Sequence, residues 1–143
     1  MISHGVVAVI MQGGKFLLLK DARELMQGYW APPHGRCDEK DTSEEESVAR
    51  EVLEETGLVV KPVRKLWTTK ADTKVETVSF WLVNIVGGAM KLDKAESSEH
   101  GWFSLEEALK LKLYPGTKMF FELVKEEKIT ISLRTLSRNP RPL

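Results

Sequence analysis

The chain has 143 residues, 42% hydrophobic and 29% charged, and its 21 basic and 21 acidic side chains cancel to zero net charge. Such a length and composition fit one globular domain with a sizeable core and exclude disorder of the whole chain. The neutral sum gives no electrostatic case for duplex DNA or an anionic membrane surface, although local charge clusters can still hold a small anion. The lone Cys37 can form neither an internal disulfide nor a cysteine-rich zinc site, and it fits a reducing compartment. No apolar run approaches the ~20 residues of a membrane span, and Met1-Ile2-Ser3-His4 lacks the basic stretch of a signal peptide. The expected location is cytoplasmic, with no membrane partner.

In chain order, Gly5 to Met11 is short and valine-rich and reads as a buried strand. Gly13-Gly14 signals a hairpin, with Lys15 to Lys20 as the returning strand. Asp21 to Gly28 is polar and reads as a loop, Tyr29 to Ala31 as a short strand stopped by Pro32-Pro33, and His34 to Asp41 as a second polar loop. Ser43 to Thr56 is the clearest helix. Ser43 and Glu46 have capping-box spacing, Glu44, Glu45 and Glu46 suit the positive end of the dipole, and Gly57 suits the C-terminal cap.

Val63 to Lys70 and Val75 to Val86 read as two strands around a turn near Ala71-Asp72-Thr73, the second apolar on both alternating sets and ended by Gly87-Gly88. His100 to Phe103 reads as a short strand. Ser104 with Glu107 opens a helix to about Leu111, and Thr117 to Glu126 forms another. Ile129 to Leu133 reads as a last edge strand, one that invites pairing with a second copy, so a homodimer is an expectation. The core is expected over about 5–126, with the tail over about 134–143 loose. The sum is an α/β domain, a mixed sheet with helices packed on its faces.

The chemistry concentrates in Arg50-Glu51-Val52-Leu53-Glu54-Glu55-Thr56-Gly57-Leu58. At about 100° per residue Glu51, Glu54 and Glu55 share one narrow face. Glu44 lies on that acidic face two turns earlier, while Val48, Ala49, Val52 and Leu53 lie opposite and anchor the helix to the sheet. Carboxylates so close repel, by a few tenths of a kcal/mol per pair on a bare helix (about 0.2–0.5). A hard cation such as Mg²⁺ turns that repulsion into ligation, and can bridge phosphates. One carboxylate could instead take a proton from water. By itself Glu-x-x-Glu-Glu is an ordinary solvated face. The adjacent Arg50, able to hold a carboxylate, and the Pro-x-Gly loop before the helix move the reading toward a site.

With these residues in place, the sequence resembles the Nudix hydrolases. Their signature is Gly, five free positions, Glu, seven free positions, then Arg-Glu-apolar-x-Glu-Glu-x-Gly-apolar. Its second half is complete from Arg50 to Leu58, and Gly35 supplies the opening glycine. The N-terminal hairpin, the approach from Trp30 to Gly35 and the run Glu99 to Glu107 also follow the family layout. The resemblance implies a Nudix-like mixed sheet sandwiched between helices. It implies Glu51, Glu54, Glu55 and the Gly35 carbonyl as metal contacts, Glu51 or Glu54 as base, and Arg50 as the residue that orients a carboxylate. Mg²⁺ is the implied cofactor, with Mn²⁺ as a substitute. Glu99 matches a position that in some members adds a ligand or base.

The motif departs from the family in one stretch. Gly35 to Arg50 is one residue longer than the family spacing, and neither Asp41 nor Thr42, the two candidates for the first acidic position, is glutamate. An altered loop rather than a dead enzyme is expected. The usual Gly-Gly is here His34-Gly35, and His34 is expected to be a loop residue facing water.

The resemblance implies a small nucleotide substrate, a nucleoside diphosphate linked to another group, cleaved by water attack at phosphorus. The markers for ADP-ribose, dinucleoside polyphosphates, coenzyme A and NADH are absent. Candidate substrate contacts are Lys20 and Arg23 for phosphates and Trp30 for stacking on a base, while Trp81 is expected in the core. Two alternatives stand: a non-catalytic nucleotide-binding module on the same fold, and an RNA-end processing enzyme using the basic tail from Arg134 to Arg141. The neutral charge argues against nucleic acid as a partner.

Overall fold

Alternation along the first strand sets the layers. Val6, Ala8 and Ile10 point to one face and Val7 and Val9 to the other, and all five are buried. A strand apolar on both sides must sit inside a sheet covered twice. A computed structural model describes residues 4–70 and 77–131, and β1 (His4–Gln12) takes that central place. Gly13 and Gly14 both have positive φ and turn the chain into β2 (Lys15–Asp21), as the paired glycines require. Then come β3 (Trp30–Ala31) and β4 (His34–Arg36), α1 (Glu44–Thr56), β5 (Leu58–Lys70), β6 (Thr77–Gly88), β7 (Ser97–Phe103), α2 (Leu105–Leu109) and α3 (Pro115–Lys125).

The sheet runs β3-β2-β1-β6-β5, with β4 paired to β1 and β7 to β2. β1 and β6 are parallel, His4 opposite Thr77 through Ile10 opposite Val83, and β5 and β6 are antiparallel. One face packs Val6, Ala8, Ile10, Leu17, Trp81 and Val83 against Val48 and Val52 of α1. The other packs Val7, Val9, Phe80 and Leu82 against Phe120 and Phe121 of α3. This is the expected α/β sandwich.

Several local expectations change. Residues 34–36, read as loop, form the short β4 because Val6 and Val7 offer it an antiparallel partner. Leu53 is half exposed rather than an anchor; of the apolar side chains of α1, Val48 and Val52 are the ones buried. Ile129 and Ile131 are not an edge strand. Both are buried beside α3, and Arg64 Nη2 donates to the carbonyls of Thr130 and Ile131, each at 2.7 Å. The turn near Ala71-Asp72-Thr73 and the tail fall outside the described residues. No helix among the described residues is long and apolar enough to cross a membrane.

The helix α1 is fixed at both ends. Ser43 Oγ accepts from the Glu46 N–H at 3.1 Å. Glu46, however, reaches back to the N–H and hydroxyl of Thr42, so the capping box forms only in part there, whereas Ser104 and Glu107 complete one at α2. Gly57 caps the other end at φ 76°, its N–H donating to the Leu53 carbonyl at 2.9 Å. A Cβ at Gly57 would lie 2.5 Å from the Ala89 carbonyl oxygen. Gly57→Ala should therefore destabilise the protein by about 2 kcal/mol through left-handed strain and that contact. An unchanged urea midpoint would contradict this role.

Candidate functional site

The carboxylates of α1 divide by depth. Glu55 is buried and accepts from the backbone N–H of His34 on β4 at 3.0 Å. Glu51 is nearly covered, at 15% side-chain exposure, while Glu54 is 57% exposed. Burial pushes the Glu55 pKa up to about 9, aided by the neighbouring Glu51 and Glu96 charges and opposed by the His34 N–H. Burial also raises that of Glu51; Arg50 opposes it, and Glu54 and Glu96 reinforce it.

Arg50 is the common partner. Its Nη1 donates to Glu51 at 3.1 Å and Glu54 at 3.2 Å, its Nη2 to Asp41 at 2.8 Å and the Arg36 carbonyl at 3.1 Å, and its Nε to Asp41 at 3.1 Å. Of the two candidates for the first acidic position, it is Asp41, not Thr42, that Arg50 bonds. The hydrogen bonds from Arg50, then from Ser47, hold its carboxyl well below the usual range. The extra residue is taken up in a turn in which the Asp41 N–H donates to the Asp38 carbonyl, and the Asp38 N–H to Asp41 Oδ2.

Gly35 lies against Glu51. A Cβ there would fall 2.0, 2.2 and 2.4 Å from the three carboxyl atoms, so only glycine lets the carboxylate rest on the β4 backbone. Glu51, Glu54, Glu55 and the Gly35 carbonyl, the expected metal contacts, offer oxygen atoms alone, the donor type a hard divalent cation takes. The helical turn alone does not bring the trio to one point. Among the described residues no three His, Cys, Asp or Glu side chains are gathered closely enough to hold an ion, and Arg50 bridges Glu51 and Glu54.

A cleft of ≈ 1020 Å³ opens beside these groups. Glu51, Gly35, His34, Arg36, Arg23 and Glu96 line its charged end, while Val7, Val78, Phe80, Leu25 and Met26 give it apolar walls. A family model described as the NUDIX domain matches residues 2–124. The chain belongs to the Nudix family. It is 30% identical over 106 residues to the 8-oxo-dGDP phosphatase NUDT18 of Mus musculus, covering 71% of this chain and 32% of that one. A MutT Nudix hydrolase from Burkholderia pseudomallei superposes with TM-score 0.75 at 26% identity, over 87% of this chain and 98% of that one. An ADP-ribose pyrophosphatase from Streptococcus suis gives TM-score 0.72 at 28% identity, over 90% and 92%. The chain spans about a third of the length of the curated relatives it matches. Nudix hydrolases generally use divalent metal ions.

Within this Nudix fold the expected contacts separate. Arg23 faces the cleft; Trp30, Lys20 and Glu99 do not line it. Trp30 is 9% exposed, packed edge-on against Phe103 at 5.1 Å, so its ring offers no open face to a base. Lys20 sits 3.5 Å from Glu99, its partner across β2 and β7, and 6.0 Å from the Trp30 ring. Glu96, three residues before Glu99, lines the cleft in its place. No sequence signal distinguishes the two, because the start of β7 at Ser97 decides which one faces it.

His34 also departs from expectation. It lines the cleft instead of facing bulk water, its Nδ1 lies 2.9 Å from the Pro32 carbonyl, and burial lowers its pKa. Glu44 leaves the acidic face for the sheet, where Trp81 Nε1 donates to it at 2.8 Å and Lys65 and His4 stand at 3.1 and 2.9 Å. Trp81 is in the core as expected.

Because the folded Asp41 has a depressed pKa, its stabilisation is full above the unfolded value near 3.9 and is lost as pH falls below it. Asp41→Asn should cost about 2 kcal/mol at neutral pH, the scale of hydrogen bonds to charged groups. It should also flatten the loss of stability below about pH 4. Equal acid limbs for the variant and the parent chain in urea titrations would contradict it.

Proposed function

We propose that this chain is a Mg²⁺-dependent hydrolase, with Mn²⁺ able to substitute, that cuts a phosphoanhydride in a nucleoside diphosphate linked to another group. The observation that carries this reading is the junction of α1 and β4, where a nearly covered Glu51 rests on the Gly35 backbone at the charged end of a cleft with apolar walls. Glu51, Glu54, Glu55 and the Gly35 carbonyl would hold the cation. Bound there it supplies positive charge to the phosphate oxygens.

The chain's own groups do the remaining work. Arg50 holds Glu51 and Glu54 in place. Glu51 and Glu54 are the two candidate bases for the attacking water. Val78, Phe80, Leu25 and Met26 give an apolar seat for the nucleoside. The names of the mouse and Streptococcus suis relatives support nucleoside diphosphates and their sugar conjugates as the first compounds to test.

A binding-only nucleotide module is the second reading, favoured because Glu51 and Glu54 are paired with Arg50 and, among the described residues, no three acidic side chains meet at one point. Turnover decides between the two. With Mg²⁺ and a panel of nucleoside triphosphates, diphosphates and conjugates, the proposed enzyme releases phosphate or nucleotide products, and a chelator abolishes release. Glu51→Gln and Glu54→Gln should each lower kcat by about 100-fold or more. The base is the one whose loss leaves cation affinity least changed. Nucleotide binding without any product across the panel would favour the module.

A further inference from the structure

Asp21, Arg23 and Tyr114 form a hydrogen-bonded set beside the cleft, which Arg23 and Tyr114 line, assembled from the end of β2, the turn after it and the residue preceding α3. Arg23 Nε donates to Asp21 Oδ1 at 3.0 Å and Nη2 to Asp21 Oδ2 at 2.8 Å, a two-pronged grip. The Arg23 N–H also donates to Asp21 Oδ1 at 2.8 Å. The Tyr114 hydroxyl donates to Asp21 and accepts from Arg23 Nη2 at 3.2 Å. Asp21 is 4% exposed and Arg23 48%, so the carboxylate is anchored and the guanidinium faces solvent in the cleft. Burial works against the ionised form of Asp21, and the bonds from Arg23 and Tyr114 outweigh it.

The remaining nitrogen, Arg23 Nη1, makes only a long ion pair, 4.0 Å from Glu96 Oε1 and beyond hydrogen-bonding distance. Arg23 lines the same cleft as Glu51, Gly35 and His34. A guanidinium with two nitrogens fixed by hydrogen bonds and a third held only by that long ion pair is a preorganised donor for an anion, since its rotamer is settled before the ligand arrives.

We propose that Asp21 and Tyr114 are positioning residues that fix Arg23 as a rigid recognition arm for the phosphate chain of the substrate. This rests on the nucleotide reading of the cleft, but it concerns binding and needs no turnover. Tyr114 acts only through Arg23, so the two substitutions are coupled. Tyr114→Phe keeps the ring that packs edge-on against Tyr29 and His34 and removes only the hydroxyl.

Inorganic pyrophosphate, the part shared by all candidate substrates, is the probe. Its affinity is measured by titration calorimetry in Mg²⁺ for the intact chain and for Tyr114→Phe, Arg23→Ala and the double variant. The proposal expects the intact chain to bind, Tyr114→Phe to bind about fivefold more weakly and Arg23→Ala at least tenfold more weakly, with the double variant matching Arg23→Ala. Thermal melts of the same samples report folding. No pyrophosphate binding by the intact chain overturns the proposal. So does an unchanged affinity in folded Tyr114→Phe, or a fivefold loss that recurs in the Arg23→Ala background. Hydrolysis of the nucleotide panel is scored separately, so a failure of turnover and a failure of the arm give different results.

Discussion

The Arg50 guanidinium meets three carboxylates and a carbonyl at once, and this contact decides how the acidic face of α1 can exist. Glu51, Glu54 and Asp41 would otherwise face one another across a few ångströms of partly dry protein. Unpaired, such charges disfavour the folded helix. By bonding Asp41 through Nε and Nη2 and the glutamates through Nη1, Arg50 ties the loop before the helix to the helix itself. The Arg36 carbonyl adds the end of β4. The glycine at position 35 follows from the same crowding, because Glu51 lies where a side chain would go.

The sheet supplies the other half. β1 pairs with β4 along one edge over Gly5, Val6 and Val7 and with β6 along the other from His4 to Ile10, so Glu51 of α1 and the apolar residues of β6 border one opening. Packing Val48 and Val52 onto the sheet sets the depth of the helix. Depth in turn grades Glu55, Glu51 and Glu54 from buried to exposed. Burial in this arrangement favours the neutral carboxyl at Glu55 and Glu51, while the exposed Glu54 is held by the arginine.

Much of this was legible in the residues because local rules carried it. The double-faced apolar runs gave β1 and β6, Ser43 and Gly57 bounded α1, and Arg50 to Leu58 spelled the family motif. What was not legible depended on contacts distant in sequence. Whether Glu96 or Glu99 meets the cleft turns on the register of β7 against β2. Tyr114 and Asp21 are 93 residues apart, and no spacing rule joins them. Trp30 has the ring a base could stack on, yet Phe103 of β7 packs against it. The missing glutamate was ambiguous between Asp41 and Thr42. The fold resolves it, since Asp41 is the one that bonds Arg50.

The central claim is that the α1 glutamates and β4 together are built to hold a divalent cation in contact with a phosphate chain. The most direct measurement is a crystal structure with Mg²⁺ and a non-hydrolysable nucleoside diphosphate conjugate. The account predicts an ion ligated by oxygens of Glu51, Glu54 or Glu55 and by the Gly35 carbonyl, with a phosphate oxygen completing its shell. A nucleotide seated in the cleft with those glutamates still held by Arg50, and no ion among them, would contradict it.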